Sequence, residues 1–252
     1  MIDTHAHLYL EEFKTDIDQV IQHSIDTGIK EIWLPGIDIS SLEPMMNIAQ
    51  KWPGYFRIFA GLHPCDVRPG FSQIIDSIIK SFETGIYTGV GEIGLDLYWD
   101  KTYIEEQKEA LKMQLDFAVT NNLPAVLHVR DAFSEIMPII REYYSKGLKG
   151  IFHSYAGDLE QALELTSQGF LIGINGTVTF KKSSLAIFLK EISLEHIVTE
   201  TDSPFLTPVP HRGKRNDPTN IPLIITKIAE LYNLPASEIQ ARCHANALRL
   251  IS

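Results

Sequence analysis

The chain has 252 residues, of which 44% are hydrophobic and 21% charged, and its formal net charge is −10. This length suits one α/β barrel domain spanning residues 1–252, and the composition is that of a soluble globular protein. Proteins that bind nucleic acid along an extended surface are usually basic, so the acidic balance argues against that class. It leaves room for a local site that holds one or two phosphates.

Eight short apolar runs alternate with segments of helical periodicity. The predicted strands are residues 2–5, 31–35, 56–62, 86–91, 125–128, 150–153, 170–174 and 196–199, and helical segments include 16–26, 105–119, 223–232 and 235–251. Such alternation predicts parallel strands joined by crossover helices. Eight strands favour a TIM-type (β/α)8 barrel with extra C-terminal helices, and a doubly wound open sheet is the alternative.

Cysteine usage and hydropathy indicate the compartment. Cys65 and Cys243 are the only cysteines, too few for a disulfide framework, so a reducing environment is expected. No run of 18 apolar residues occurs, and the first residues lack the basic and apolar segments of a signal peptide. We expect a cytoplasmic protein without membrane contact, and no obligate protein partner is evident.

Side chains of the type that bind metals lie at the carboxyl ends of several predicted strands. They are His5, His7, Glu92, His128, His153 and Asp202. In a parallel barrel these ends point to one face, which carries the chemistry. His5 and His7 are two residues apart, so on a strand both point to the same side. The set is therefore predicted to converge on one cavity.

Each of these residues alone has an ordinary structural explanation, as a hydrogen-bonded core histidine or a helix-capping carboxylate. Together they would bury too much polar and charged surface without a partner, which a metal supplies. The donors outnumber what one zinc ion needs. They favour two divalent cations (Mg²⁺, Mn²⁺ or Zn²⁺, the identity left open), with Glu92 on the fourth strand as the bridging ligand.

Basic side chains near these ligands are candidates for substrate binding. Arg130 follows His128 by two residues, and its planar guanidinium suits a phosphate, although an ion pair with Asp131 is the alternative. Arg212, Lys214 and Arg215 follow a proline-rich loop and could form a positive rim or simply a solvated face.

Other polar and aromatic residues have less certain roles. His63 ends the third run and is expected either to contact substrate and transfer protons or to be structural. Tyr98, Trp99 and Phe205 could stack on bases or cover the barrel mouth. Asn246 is expected to tie the last helix to the barrel.

Six motifs run in order along nearly the whole chain. They are THAHL at 4–8, GLHP at 61–64, GEIGLD at 91–96, LHVRDA at 127–132, FHSYAG at 152–157 and TETDSPFLTPVPHRGKRNDP at 199–218. In these motifs the chain resembles the TatD-like hydrolases, a branch of the amidohydrolase superfamily. The resemblance implies a TIM-type barrel with two divalent ions and metal-dependent DNase activity. It also implies that His5, His7, Glu92 and Asp202 hold one ion, and that Glu92, His128 and His153 hold the other.

Four positions depart from the family pattern. Ala6 and Tyr9 replace the second and fifth residues of the usual His-Cys/Gly-His-Leu-Asp start, which leaves both histidines intact. Cys65 stands where relatives often have a second histidine, and Leu97 where they have an aromatic residue.

These patterns lead to a hypothesis about function. Two divalent ions would activate a water molecule for attack on a phosphodiester of DNA or a short oligonucleotide, with Asp202 and Glu92 as the catalytic carboxylates and Asp202 accepting the proton. An ester or amide hydrolase, such as an aminoacyl-tRNA deacylase, is the alternative enzyme. A metal-binding protein without turnover is the non-enzymatic alternative.

Overall fold

The computed structural model describes residues Met1–Ser252 and contains one sheet of eight parallel strands in sequential order. The strands are β1 (Ile2–Asp3), β2 (Glu31–Pro35), β3 (Phe56–Ala60), β4 (Tyr87–Asp96), β5 (Ala125–Arg130), β6 (Gly150–Phe152), β7 (Leu171–Ile174) and β8 (Ile197–Thr199). This sequential order, with every neighbouring pair parallel, is that of a TIM barrel and confirms the predicted fold.

Helices connect the strands and surround the sheet. They are α1 (Ile17–Asp26), α2 (Leu42–Lys51), α3 (Phe71–Ser81), α4 (Ile104–Thr120), α5 (Phe133–Tyr144), α6 (Leu159–Ser167), α7 (Leu185–Phe188), α8 (Ile221–Tyr232) and α9 (Ala236–Ile251). α8 and α9 are the predicted C-terminal helices. No helix is both long and apolar enough to cross a lipid bilayer.

The first and last strands meet along a seam that closes the barrel. The Thr4 amide donates to the Thr199 carbonyl at 3.1 Å, and the Asp202 amide donates to the His5 carbonyl at 2.8 Å. Ala6 forms an isolated parallel bridge with Ser203. Residues 4–7 and 199–203 therefore continue the pairing beyond the carboxyl ends of β1 and β8.

Two apolar clusters divide the core between the outside and the inside of the barrel. A cluster of 55 buried residues packs the outer strand faces against the helices. The inner cluster is smaller and consists of Ile2, Trp33, Phe59, Val126, Ile151, Leu171 and Val198 from the strands with Ala247 and Leu250 from α9. α9 thus covers the amino-terminal end of the barrel. The Asn246 side-chain amide donates to the Leu194 and Ile197 carbonyls, as its predicted tying role requires.

The inner cluster explains why the functional side chains point inward. Residues two apart on a strand share a face, so His128 on β5 faces inward two residues after Val126. His153 stands in the same relation to Ile151 on β6. Apolar residues therefore fill the lower interior, and polar residues from the same strand faces fill the mouth.

β4 extends to Asp96, beyond the predicted strand 86–91, and its pairing with β5 is irregular. Its register with β5 shifts between Val90 and Ile93, so both of these side chains lie in the outer cluster although they are three residues apart. A bulge of this kind re-aims a side chain. Here the shift leaves Glu92 facing the interior and lets the strand continue to Asp96.

Candidate metal centre and active site

The six predicted ligands come together at the barrel mouth around Glu92, which is only 2% exposed. Glu92 Oε2 lies 3.1 Å from His5 Nε2 and 3.5 Å from His7 Nε2. Glu92 Oε1 lies 2.8 Å from His128 Nδ1 and 2.7 Å from His153 Nε2. Each carboxylate oxygen thus faces its own pair of histidines, which is the arrangement expected of a bridging ligand.

Asp202 completes the His5 and His7 side of the cluster. Its Oδ1 lies 3.7 Å from His5 Nε2 and 3.5 Å from His7 Nε2. The backbone of Asp202 has φ of 58°, a left-handed conformation that is uncommon for residues other than glycine. Two backbone hydrogen bonds hold this conformation: the Asp202 N–H donates to the His5 carbonyl, and the Phe205 N–H donates to the Asp202 carbonyl. The barrel seam therefore stabilises the backbone that presents this carboxylate.

The glycine of GEIGLD at position 94 allows the close approach of β4 to β5. Gly94 has φ of 152°, and a Cβ at this position would collide with the His128 carbonyl oxygen. The tight contact brings the two strands near enough for Glu92 on β4 to reach His128 on β5. The GEIGLD motif therefore contains Glu92 for its carboxylate and Gly94 because a larger side chain would not fit there.

The carboxylates and histidines of the centre shift one another's pKa values. Burial disfavours the charged form of Glu92, but His153, His5 and His63 hold its pKa well below the ordinary value. Burial likewise opposes charge on His153, yet Glu92 and Glu200 raise its pKa well above the usual range. The Asp202 pKa is lowered despite burial, chiefly by its hydrogen bond with His7. Both carboxylates are therefore ionised at neutral pH.

Two further carboxylates stand behind the histidines. Asp96 Oδ2 lies 2.9 Å from His128 Nε2, so the Nδ1 of that ring is the atom that faces Glu92. Glu200, which is fully buried, has its Oε1 3.6 Å from His153 Nδ1. The hydrogen-bonded Asp96 carboxylate orients the His128 ring and raises its basicity, whereas Glu200 acts on His153 only through its nearby charge. Sequence analysis assigned no role to Asp96 or Glu200, although both lie within quoted motifs, directly at strand ends.

Tyr9 sets the protonation of His7. The Tyr9 hydroxyl donates its single proton to the Pro35 carbonyl at 2.8 Å. Its contact with His7 Nδ1 at 2.9 Å must then be accepted by the tyrosine oxygen, so His7 carries its proton on Nδ1. The lone pair on His7 Nε2 faces the centre. Tyr9 was noted from the sequence only as a departure from the family pattern.

His63 lies beside the cluster, and its ring has the tautomer opposite to that of His7. The Cys65 amide donates to His63 Nδ1 at 3.1 Å, so a neutral ring carries its proton on Nε2. That nitrogen lies 3.5 Å from Glu92 Oε1. Burial lowers the His63 pKa more than Glu92 raises it, which favours the neutral ring. These contacts agree with a proton-donating neighbour of Glu92 rather than a metal ligand.

The donor set fits divalent cations. Three groups have ligand atoms within 4.8 Å of one another: His5 with His7 and Glu92, His5 with His153 and Asp202, and Glu92 with His128 and His63. In the third group His63 presents its protonated nitrogen to Glu92, so it is a neighbour and not an assigned ligand. The Nε2 atoms of His5 and His7 lie 3.1 Å apart, and the His5 and His153 rings stack at 3.8 Å. A cation would satisfy these crowded nitrogens. Mixed imidazole and carboxylate ligands suit Zn²⁺, Mn²⁺ or Fe²⁺.

A cavity of about 1070 Å³ opens above the centre. Arg130 and Arg212 line it, as do His63 and the aromatic rings of Trp99 and Phe205. Lys181 and Lys182 also line the cavity, and sequence analysis did not single them out. Their position depends on the loop that follows β7, which carries no motif. The arginines and lysines make the rim of the cavity basic within an acidic protein.

Lys214 and Arg215 do not line this cavity. Arg215 forms a two-point ion pair with Asp16, at 2.9 and 2.6 Å, and its guanidinium lies 4.6 Å from the centre of the Phe13 ring. Asp16 and Arg215 are 199 residues apart, so no local pattern reveals the pair. The basic cluster therefore divides, with Arg212 on the cavity and Arg215 anchoring the loop to the segment before α1.

Residues 2–252 match the family model described as TatD related DNase. The chain belongs to the TatD-related DNase family. The uncharacterized metal-dependent hydrolase YabD of Bacillus subtilis is 33% identical over 99% of this chain and 98% of that protein. A Pectobacterium carotovorum protein named 3′-5′ ssDNA/RNA exonuclease TatD is 28% identical over 99% of this chain and 98% of its own length.

Solved structures of TatD proteins show the same barrel. The TatD homologue YJJV from Escherichia coli superposes with a TM-score of 0.88 at 26% identity, covering 99% of this chain and 97% of the other. The Entamoeba histolytica TatD family hydrolase has a TM-score of 0.85 at 21% identity, covering 99% and 97%. The chain is thus a metal-dependent hydrolase of the TatD family, as the motifs predicted.

Proposed function

We propose that this TatD-family hydrolase is a deoxyribonuclease that cleaves phosphodiester bonds of single-stranded DNA, from an end or in short pieces. The observation that carries the proposal is the division of the Glu92 oxygens between two histidine pairs, beneath a cavity with a basic rim. The relative from Pectobacterium carotovorum, named as a 3′-5′ ssDNA/RNA exonuclease, supports the same substrate class.

Two divalent cations are proposed for the centre. His5, His7, Glu92 and Asp202 would hold one, and Glu92, His128 and His153 the other. Bound there, the cations would polarise a water molecule and stabilise the charge that develops on the phosphate. Tyr9 and Asp96 hold the His7 and His128 rings, so that Nε2 of His7 and Nδ1 of His128 face the centre.

Asp202 is the proposed proton acceptor. Its Oδ1 faces His5 and His7, which leaves Oδ2 to take the proton from the attacking water. The carboxylate lines the cavity and is ionised at neutral pH, as this role requires. His63, with its Nε2 proton directed at Glu92, is proposed to help hold the bridging carboxylate in place.

Phosphate binding is assigned to the basic residues that line the cavity. They are Arg130, Arg212, Lys181 and Lys182. The Arg212 guanidinium lies 4.3 Å from the centre of the Phe180 ring, which supports its flat face and leaves its edge for a phosphate. Lys214 and Arg215 are not included, since neither lines the cavity. A few local cations reconcile a nucleic acid substrate with a net charge of −10.

The test is hydrolysis of a defined single-stranded oligonucleotide by protein first stripped of metal and then loaded with Mg²⁺, Mn²⁺ or Zn²⁺. Mass analysis of the products should show stepwise shortening that chelator abolishes. The Asp202→Asn variant should have no turnover and a native circular dichroism spectrum. Hydrolysis of a charged tRNA, with every oligonucleotide left intact, would overturn the nuclease assignment. A fully active Asp202→Asn enzyme would overturn the role of Asp202.

A further inference from the structure

A second cavity adjoins the catalytic one. It has a volume of about 530 Å³, which is within the usual range of about 300–1,000 Å³ for small-molecule pockets. We call it the side pocket; its walls are contributed by Tyr98, Asp131, Phe133 and Gln161 among others. Arg130 and Ala156 line both cavities, so the two spaces share one wall. The hydrolytic step described above makes no use of the side pocket.

Arg130 separates the two cavities and keeps its donors available. Its guanidinium carbon lies 3.8 Å from the centre of the Tyr98 ring and 5.3 Å from that of Trp99. Arg130 lies beyond 4.0 Å from every carboxylate oxygen, so the ion pair with Asp131 considered from the sequence does not form. A stacked guanidinium presents its planar edge to an oxyanion. Arg130 is therefore placed to hold a phosphate between the two cavities.

The charge of the side pocket selects against a phosphate inside it. Asp131 and Asp158 both line it, and Asp131 is exposed. Gln161 accepts a hydrogen bond from the Asp158 amide through Oε1, which leaves its amide nitrogen as a donor. Both carboxylates repel an anion. Asp158 Oδ1 already accepts the Gln161 backbone amide at the start of α6, so Asp131 is the carboxylate placed to accept hydrogen bonds from a neutral amino group. The occupant that fits is an uncharged, planar group that carries N–H donors.

Aromatic rings contribute to the wall of the side pocket. Tyr98, which is 53% exposed, and the half-buried Phe133 supply aromatic surface. Gly157 also lines the pocket, and a Cβ there would collide with the Tyr155 hydroxyl and with Gln161 Oε1. This part of the wall is therefore closely packed and requires glycine. Aromatic surface that borders a phosphate site is a common platform for stacking nucleobases.

We infer that the side pocket binds the nucleobase of the nucleotide adjoining the scissile phosphate, with Arg130 holding a phosphate of the same strand. The inference rests on the proposed nuclease function. A base in this pocket is unpaired, so the substrate is single-stranded at that position. Because Asp131 accepts hydrogen bonds, the pocket prefers bases with an exocyclic amino group, such as cytosine, over thymine, which has none.

The experiment compares dT10 with decamers in which a single dC replaces dT at the first or second position from either end. For wild-type enzyme, one of these placements should lower KM several-fold at unchanged kcat. Asp131→Asn should remove the preference for dC, and asparagine tolerates the left-handed backbone of Asp131. Tyr98→Ala should raise KM for every decamer about tenfold, because it removes aromatic surface from the pocket and the ring on which Arg130 stacks.

A matched control and a binding measurement separate the possible failures. Asp100→Asn removes a carboxylate on the same loop as Tyr98 that lines neither cavity, and it should leave KM unchanged. Fluorescence anisotropy of labelled decamers in chelator reports binding without hydrolysis and should show the same dC preference. If wild-type enzyme cleaves DNA while Asp131→Asn and Tyr98→Ala alter neither KM nor anisotropy, the side-pocket inference is wrong. If the decamers bind with this preference but are never cleaved, the proposed nuclease function is wrong and the inference that the side pocket binds a nucleobase holds.

Discussion

The two ends of the barrel interior use the same strand faces for opposite purposes. At the amino-terminal end, Val126, Ile151 and Leu171 pack against α9 in a wholly apolar cluster. At the carboxyl end, His128 and His153, two residues further along two of those strands, crowd around Glu92. The lower layer contributes stability through burial, and the upper layer gathers the histidines and carboxylates of the proposed metal centre. Stability and chemistry are thus separated along the barrel axis.

A large effect, second only to that of Asp202→Asn, is expected at the mouth from Glu92→Gln, which keeps the shape of the side chain and removes its charge. It should lower kcat by about 10²–10⁴-fold, the range for groups that act directly on the reaction. The melting curve should remain cooperative, because the packed lower layer is untouched. Steady-state kinetics and circular dichroism on one preparation make the check. Activity within threefold of wild type would contradict the proposed catalytic role of Glu92.

The complementary change at the closed end is Leu171→Ala. Leu171 is 2% exposed on β7, a strand that supplies no predicted ligand. Its truncation should reduce the free energy of unfolding by about 2–5 kcal/mol, as buried leucines do. Urea titration measures this loss, while kcat of the folded enzyme should not change. Leu163→Ala on α6, where the side chain is 45% exposed, should cost less than about 0.5 kcal/mol. Equal losses for both variants would contradict the layered interior.

A smaller effect is expected at Tyr9, which connects the centre to the β2 backbone through the Pro35 carbonyl. Tyr9→Phe deletes only the oxygen that accepts the His7 proton, and it should weaken metal affinity about 10–100-fold. Calorimetric titration of metal-free protein with Zn²⁺ or Mn²⁺ measures it. Tyr232→Phe removes a hydroxyl that donates to the Leu189 and Ile192 carbonyls, far from the mouth. This control should bind metal as wild type does, and an unchanged affinity in Tyr9→Phe would show that the hydroxyl does not orient His7.

The smallest expected effect concerns the two thiols, one at each end of the barrel. Burial raises the pKa of Cys243 to about 12, and burial together with Asp96 raises that of Cys65 to about 12. Because the thiolate is the reactive form, neither should react appreciably with iodoacetamide at pH 8 in the native state. Mass spectrometry should find unmodified protein, and two modifications after denaturation. Rapid modification of native Cys65 would show that the cavity holds a reactive thiolate.

The barrel and the convergence of its ligands could be predicted from the sequence because both follow from short-range periodicity. Apolar runs identify the strands, and a histidine at the end of a run inherits the inward direction of the residue two places before it, as His128 does from Val126. Parallel strands then bring all such ends to one face. The irregular register of β4 could not be foreseen, because it is defined by the pairing of Val90 and Ile93 with residues of β5, which are distant in the sequence.

The supporting contacts escaped prediction for a different reason. Asp96 is followed at once by a loop, where a carboxylate has many ordinary uses, and only the position of His128 on the neighbouring strand shows its partner. Arg215 belongs to an apparently basic cluster until Asp16 is brought against it. These contacts join residues 32 and 199 positions apart, so only the folded chain determines them.

The seam between the first and last strands has a consequence for how the protein matures. Asp202 lies almost 200 residues after His5 and His7 in the chain, and it reaches them only when residues 199–203 pair with residues 4–7. A growing chain, or one cut before residue 199, therefore lacks a complete binding site for the proposed cation shared by His5, His7 and Asp202. The proposed site of His5, His7 and Asp202 is therefore complete only where the ring of strands is closed.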